Sequence, residues 1–174
     1  MTKITAALRG MPALRFGAMA LLGSAVLAAS AQISLPMWPV PATLQSLAVL
    51  LLGALGGSRL GAASVGLYLA EGAMGLPVFA HGTAGIAVLA GPTAGYLLGF
   101  LPAAWVAGLA GSSWPRQALV LTAAHLLLFV PGVAWLAGFV GWERAVMAGF
   151  VLFLPGTVVK TALAVAVLRV TRRG

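Results

Sequence analysis

Long apolar segments, each near the length of a membrane-spanning helix, recur along the chain between short proline-rich or glycine-rich breaks. A helix needs about 20 apolar residues to cross roughly 30 Å of hydrocarbon. The pattern predicts six transmembrane helices, with approximate bounds 13–33, 42–57, 59–75, 91–111, 117–137 and 145–170. The alternation of apolar and polar residues that is typical of membrane β-strands is absent. We therefore expect an all-α integral membrane protein whose single six-helix domain covers residues 1–174.

The composition agrees with this interpretation and narrows the chemistry. Hydrophobic residues make up 61% of the chain, charged residues 7%, and the mean hydropathy is +1.08, unlike the usual balance of a soluble domain. There is no cysteine, hence no disulfide and no thiolate ligand. Two histidines and two glutamates lack the i, i+4 helical spacing of a metal site, so we expect neither metal nor cofactor. His125 is interpreted as a neutral, hydrogen-bonded residue within a helix rather than a ligand.

Basic residues predict the orientation of the chain in a cell membrane. Arg144 falls on one side, Lys160 within the bilayer, and eight of the ten on the other side: Lys3, Arg9, Arg15, Arg59, Arg116, Arg169, Arg172 and Arg173. The positive-inside rule then places both termini in the cytoplasm. Because these charges form no basic stripe, the net charge of +8 does not indicate nucleic-acid binding.

The first helix has a second interpretation. Its basic flank, its apolar run and the small residues Ala29-Ser30-Ala31 before Gln32 are also typical of a cleavable secretory signal. Cleavage would leave five helices with the same cytoplasmic C-terminus, so the distribution of charge does not decide between the two.

Enzymatic activity is not predicted. The chain has no aspartate, no nucleophilic serine motif and no His-Glu-x-x-His helix. Lys160-Thr161 follows Val159 rather than the glycine that a phosphate-binding loop requires. Energy for any transport would therefore come from another subunit or from an ion gradient.

Lys160 is the first candidate for a functional site, because it lies within the apolar stretch from Ala145 to Val170. A charge at the bilayer centre costs about 2.5–3.5 kcal/mol on insertion scales, so it is expected to face a cavity or a polar ligand.

Two segments are predicted to be non-helical loops on the outer face. Ser34–Gln45 reads SLPMWPVPATLQ and is stiffened by its prolines, whereas Gly75–Gly95 is rich in glycine. Non-helical backbone is tolerated at membrane depth where it is buried or lines a cavity, so both loops predict an outward-side pocket.

The segment from Val40 to Phe100, which begins VPATLQSL and includes GLPVFAHGTAGIAVLAGPTAGY, resembles the BioY family of biotin transporters. The FLPGTVVK run, Phe153–Lys160, is similar to that family's last-helix motif. The family is the substrate-binding S component of energy-coupling factor transporters. The resemblance implies high-affinity biotin binding in a pocket that the two loops close, together with a transmembrane coupling subunit and ATPase subunits.

The resemblance also implies a set of substrate-binding residues. Lys160 would contact either the ureido group or the carboxylate of biotin. Thr157 stands one turn earlier, where the family usually has an aspartate, and its neutral hydroxyl cannot form an ion pair with Lys160. The further candidates are Tyr96, Gln45, Thr43, Thr93, Trp38, Phe79, Tyr68 and His81. Ordinary alternatives are an interfacial position for Tyr96, helix capping for Thr43, and simple packing for Trp38 and Phe79.

Small residues at four-residue spacing, Ala20, Ser24 and Ala28, form a stripe on the first helix. By analogy with the family this stripe would bind the coupling subunit, and the alternative is packing within the chain. Two further functions remain open: a self-sufficient ion-coupled carrier with Glu71 as its proton site, and a non-catalytic membrane subunit.

Overall fold

The computed structural model describes residues 12–171, which are mainly helical. In chain order the elements are α1 (Ala13–Gln32), β1 (Ser34–Leu35), β2 (Ala42–Thr43), α2 (Gln45–Ala73), a 3₁₀ turn (Ala80–Gly82), α3 (Ile86–Ala90), α4 (Ala94–Ala107), α5 (Trp114–Leu127), α6 (Phe129–Val140), α7 (Trp142–Gly149), a second 3₁₀ turn (Val151–Phe153) and α8 (Leu154–Thr171).

Four helical segments of this described region are long and apolar enough to cross a membrane. They are Ala13–Gln32, Gln45–Ala73, Trp114–Val140 and Trp142–Thr171, and the apolar helix Ala94–Ala107 is shorter. These features agree with the helical membrane protein that the sequence predicts.

Helix α2 is a hairpin of two arms rather than one straight helix. Gly57 has φ 81° and ψ 164°, a backbone conformation that favours glycine. A Cβ atom on Gly61 would lie 2.7 Å from Cα of Gly53, whereas residues eight apart in a straight helix are separated by about 12 Å. The chain therefore folds back at Gly57, where the predicted second and third helices meet.

The other helices differ from the predicted bounds in ways that the local sequence explains. Helix α4 is shorter than the predicted 91–111, because Gly91 and Gly108 flank it in the chain and Gly111 has φ 66°. The predicted fifth helix is divided into α5 and α6 at Leu128, and the predicted sixth into α7 and α8 by the second 3₁₀ turn.

Helix α2 packs against both α1 and α4, while α4 also packs on α5 and α6, and α8 packs on α5 and α2. Small residues permit these close approaches: a Cβ atom on Gly53 would overlap the carbonyl oxygen of Ala104, and one on Gly108 would overlap Ser58. The C-terminal half of α4 is thereby held close to the bend of α2 at Gly57.

The loop between α1 and α2 is tied at its base by a short antiparallel pairing. Ser34 pairs with Thr43 and Leu35 with Ala42, so residues 36–41 form the tip. This pairing positions Thr43 immediately before α2.

Candidate functional site

Lys160 projects from α8 to the beginning of α2. Its Nζ atom donates hydrogen bonds to the carbonyl oxygen of Thr43 at 2.6 Å and to Oγ of Ser46 at 3.1 Å. The side chain is half-buried. The ammonium group in an apolar helix is therefore satisfied by two oxygens from a distant part of the chain, as a charge at membrane depth requires.

These groups adjoin a cavity of about 50 Å³ enclosed by the first loop and by α2, α4, α5, α6 and α8. Six of its lining residues carry polar side-chain groups, and the rest are aromatic or aliphatic. The lining comprises Val40, Pro41, Thr43, Ser46, Tyr96, Phe100, His125, Leu128, Phe129, Phe153, Thr157 and Lys160.

One wall of the cavity is aromatic. The ring of Tyr96 stacks on Phe153 at 6.5 Å between centroids and meets Phe129 edge to face at 6.1 Å. Its hydroxyl donates to the carbonyl oxygen of Gly149 at 2.8 Å. A Cβ atom on Gly149 would overlap that hydroxyl, and one on Gly132 would overlap the ring. The two glycines thus make the slot that fixes Tyr96.

Two other polar side chains that line the cavity, Thr157 and His125, have hydrogen-bond partners within the protein. The Thr157 hydroxyl donates to the carbonyl oxygen of Phe153 at 2.9 Å, one turn earlier in the chain. His125 Nδ1 lies 2.8 Å from Oγ1 of Thr161. The predicted residues Lys160, Thr157 and Tyr96 therefore lie around one cavity, together with Thr43.

Gln45 and Tyr68 lie behind this cavity rather than in its lining. Gln45 Nε2 donates to the Tyr68 hydroxyl at 2.7 Å, and Gln45 Oε1 accepts from the Thr43 hydroxyl at 3.1 Å. Both side chains are buried. Their hydrogen bonds hold Thr43, whose carbonyl oxygen contacts Lys160.

The other four predicted binding residues do not line the cavity. Phe79 is buried edge to face against Tyr68 with centroids 5.4 Å apart. Trp38 is 78% exposed, so Val40 and Pro41, rather than Trp38, supply the part of the first loop that faces the cavity. His81 is exposed with φ 58°, and Thr93 is half-buried just before α4.

Gln32, at the end of α1, was not predicted as a functional residue. Its Nε2 donates to the carbonyl oxygen of Phe79 at 3.0 Å, and its Oε1 accepts from the amide of Gly82 at 3.1 Å. One amide side chain thus holds the second outer loop against α1. Its signal in the sequence was a polar residue at the end of an apolar helix, next to a predicted loop.

The cavity also contains residues that sequence analysis did not assign to it. Ser46 lies one residue after the TLQ motif, and His125 was interpreted as a hydrogen-bonded helix residue, which it is. Phe100, Phe129 and Phe153 had no distinguishing signal, because an apolar aromatic residue suits lipid, core and pocket equally.

The small-residue stripe of α1 packs within the chain. Ala20 and Ser24 are buried, and the Ser24 hydroxyl donates to the Glu71 carboxylate. A Cβ atom on the adjacent Gly23 would overlap Ser64. Of the two roles that the sequence left open, the structure shows contact with α2 at Ser24, whereas binding of a coupling subunit through Ala20, Ser24 and Ala28 stays a prediction.

A second, larger concave surface is a groove of about 550 Å³ between α1 and α2. Its lining is almost entirely apolar and includes none of the cavity residues. It comprises Met19, Leu22, Gly23, Val26, Ser30, Leu44, Leu47, Ala48, Leu51, Leu52, Leu55, Gly56 and Leu60.

Comparisons with known proteins agree on one group of transporters. A sequence model of the BioY family matches residues 3–174. The probable biotin transporter BioY of Pyrococcus horikoshii is 41% identical over 143 residues, covering 82% of this chain and 87% of its own length. The biotin transporter BioY of Thermotoga maritima is 37% identical over 145 residues, covering 81% and 86%.

The fold matches a solved structure, the S-component for biotin from an ECF-type ABC transporter. The TM-score is 0.82, and the match covers 95% of this chain and 96% of that chain at 23% identity. This similarity establishes a shared arrangement of helices.

Proposed function

The chain belongs to the BioY family, and on this premise we propose that it is the biotin-binding component of a vitamin uptake transporter. The observation that carries the assignment to this cavity is the convergence of Lys160, Ser46, His125 and Thr157 on one small space with an aromatic wall. A few placed polar groups amid apolar walls are typical of a small-molecule site.

Biotin has matching chemistry. Its ureido ring carries two N–H donors and one carbonyl acceptor, its thiophane ring is apolar, and its tail ends in a carboxylate. Lys160 supplies a positively charged donor for an oxygen of the ligand, and Tyr96 with Phe129 and Phe153 supplies flat apolar surface. Hydroxyl oxygens of Ser46 and Thr157 can accept from the ureido N–H groups.

Ligand entry requires the site to open. A cavity of about 50 Å³ is far smaller than the roughly 300–1,000 Å³ of small-molecule pockets. Val40, Pro41 and Thr43 belong to the first loop and its base, so outward movement of this loop enlarges the site. The ligand then replaces the carbonyl oxygen of Thr43 as a partner of Lys160, which keeps the ammonium group hydrogen-bonded in both states.

The proposed arrangement in the cell membrane has six spans with both termini in the cytoplasm. The six spans are α1, the two arms of α2, α4, α5 with α6, and α7 with α8. The one-sided distribution of Lys and Arg supports this orientation. A reporter fused after Gly174 should be cytoplasmic and one inserted at Gly141 external. The reverse result would invert the orientation and place both loops in the cytoplasm.

Transport energy is proposed to come from separate transmembrane and ATPase subunits, so the chain itself is not an enzyme. The full sequence has no phosphate-binding loop motif, which supports this division. ATP-driven uptake by the reconstituted chain should require added subunits. Uptake by the chain alone, driven by an ion gradient, would contradict the division.

One observation favours keeping the ion-coupled carrier as a second candidate. Glu71 is a carboxylate at the end of α2 that accepts a hydrogen bond from the buried Ser24 of α1. A carboxylate between two helices could couple their separation to protonation. Glu71→Gln should leave biotin uptake unchanged if separate ATPase subunits drive it, and should abolish uptake if a proton does.

A titration of the detergent-purified chain with biotin, desthiobiotin and thiamine tests the proposed ligand. Biotin should bind most tightly, and thiamine, which is cationic and lacks a ureido ring, should not compete. Equal binding of all three would refute specificity for biotin, and undetectable binding of all three would favour a membrane subunit that binds no vitamin.

A further inference from the structure

Resting on the proposed biotin site, we propose that His125 is a further ligand-contacting residue. Its Nε2–H group donates a hydrogen bond to an acceptor oxygen of bound biotin.

Two contacts fix the ring of His125. Its plane lies within 14° of the Phe129 ring at a centroid distance of 6.3 Å, and its Nδ1 atom is bonded to Thr161 on α8. The side chain lines the cavity although only 1% of its surface is exposed. Such a ring cannot rotate without losing both contacts.

The small exposed part of His125 includes Nε2. Nδ1 is engaged by Thr161, and Nε2 has no hydrogen bond to any residue between 12 and 171. Over that same range, Gln117 Oε1 is the side-chain atom that is both fully enclosed and without a hydrogen bond. Nε2 is therefore not fully enclosed, and because His125 lines the cavity we infer that Nε2 faces it.

Thr161 sets which nitrogen carries the hydrogen. The hydroxyls of Thr157 and Thr171 on the same helix donate to carbonyl oxygens four residues earlier. Thr161 is bonded to His125 instead. Since a buried hydroxyl hydrogen needs an acceptor, Thr161 donates to Nδ1, and the neutral imidazole then carries its hydrogen on Nε2.

Three hydroxyl groups that line the cavity already donate within the protein. Tyr96 donates to Gly149, Thr157 to Phe153 and Thr43 to Gln45. Biotin brings acceptor oxygens at both ends. His125 Nε2 therefore supplies a donor without breaking a bond within the protein, and Lys160 supplies another by exchanging the Thr43 carbonyl oxygen for the ligand.

The test compares His125→Phe, which keeps the stacked ring but removes both nitrogens, with His125→Gln, whose amide N–H can reach the position of Nε2. Biotin affinity should fall about three- to tenfold in His125→Phe and return to within about twofold of wild type in His125→Gln. Thr122→Val, on the exposed side of α5, controls for substitution in that helix. Thermal melting of each purified variant reports folding separately.

The outcomes separate this inference from the proposed function. Unchanged affinity in His125→Phe overturns the role of His125 while biotin binding stands. Equal losses in folded His125→Phe and His125→Gln also overturn it, because an amide N–H at the position of Nε2 then fails to restore affinity. Failure of the wild-type chain to bind biotin overturns the proposed function instead.

Two further measurements identify the bond. Nuclear magnetic resonance of ¹⁵N-histidine-labelled protein should show the His125 hydrogen on Nε2. Thr161→Val should shift that hydrogen toward Nδ1. A hydrogen on Nδ1 in the wild type refutes the donor role of Nε2. The loss in His125→Phe should disappear with 2-iminobiotin if the ureido oxygen accepts. If the carboxylate of the biotin tail is the acceptor, the loss in His125→Phe should instead disappear with an analogue that has a methyl group in place of the carboxylate. A full loss of affinity with both analogues refutes the hydrogen bond from Nε2.

Discussion

Two concave regions within residues 12–171 contrast with each other: the larger one is apolar and the smaller one is polar. The apolar groove between α1 and α2 has a volume of about 550 Å³, and the cavity beside Lys160 about 50 Å³. The groove is lined almost wholly by aliphatic side chains. The cavity brings together an ammonium group, an imidazole and several hydroxyls from five elements of the fold, namely β2, α2, α4, α5 and α8.

This contrast shows that the volume of a concave surface is a poor guide to its function in a membrane protein. An almost wholly apolar lining offers a polar ligand few hydrogen-bond partners that fix its orientation. The cavity offers hydrogen bonds that a lipid tail does not need. Under the proposed function, discrimination among vitamins is assigned to the small polar cavity rather than to the groove.

The largest expected effect comes from Lys160→Ala. A hydrogen bond to a charged group contributes about 1.5–3 kcal/mol, so biotin affinity should fall roughly ten- to more than a hundredfold. Isothermal titration of the detergent-purified variant measures the change. Leu22→Ala, at a groove residue that is 67% exposed, is the matched control and should bind as wild type does. Equal losses in both would remove the functional distinction between the two regions.

A smaller gain is expected from Thr157→Asp. The new carboxylate would pair with Lys160 one turn later and accept from the ureido N–H groups, strengthening biotin binding up to about tenfold. Thr157→Val should change affinity less than about threefold, because the native hydroxyl already donates to Phe153. Competition binding with labelled biotin measures both. Weaker binding in Thr157→Asp would show that the cavity cannot accommodate a second charge.

Gln45→Leu tests the support behind the cavity. It removes the partner of Tyr68 and of the Thr43 hydroxyl, so affinity should fall about fivefold and thermal stability should drop. Gln117→Leu is a control at another buried glutamine, one with an unbonded oxygen and no cavity contact. It should leave binding unchanged. Loss of stability without loss of affinity in Gln45→Leu would mean that Thr43 holds its position unaided.

The smallest effect on affinity is expected for Gln32→Ala, about two- to threefold, since Gln32 holds the second loop and does not touch the cavity. Hydrogen exchange at the Gly82 amide, which bonds to Gln32, should become faster. Gln32→Glu keeps an acceptor for that amide and should protect it better than alanine. Identical exchange in all three proteins would show that the hydrogen bond from the Gly82 amide to the Phe79 carbonyl oxygen protects it without Gln32.

Much of the fold was predictable because length and hydropathy report membrane helices directly. The predicted junction between the second and third helices lies at Gly57, and the predicted first helix matches Ala13–Gln32. The divisions of the last two helices were not predicted, because Leu128 and Val151–Phe153 are as apolar as their neighbours.

The site was only partly predictable for a related reason. A charge in an apolar helix singled out Lys160, and the resemblance to the family singled out Tyr96 and Thr157. Which side of a helix faces a cavity is not readable when lipid and core both favour apolar residues. Tyr68 and Phe79 were therefore assigned to the pocket although they pack behind it, and Phe129 was missed.

The bond between Lys160 and Thr43 has a consequence for biosynthesis. The two residues are 117 positions apart, and the acceptor is made first. During synthesis from the N-terminus, the Thr43 carbonyl oxygen and the Ser46 hydroxyl can already be in place when Lys160 leaves the ribosome. The last helix then partitions from the insertion machinery toward a waiting polar partner rather than into bare hydrocarbon. The two oxygens that hold Lys160 in the folded chain thus lower the cost of placing its charge in the membrane.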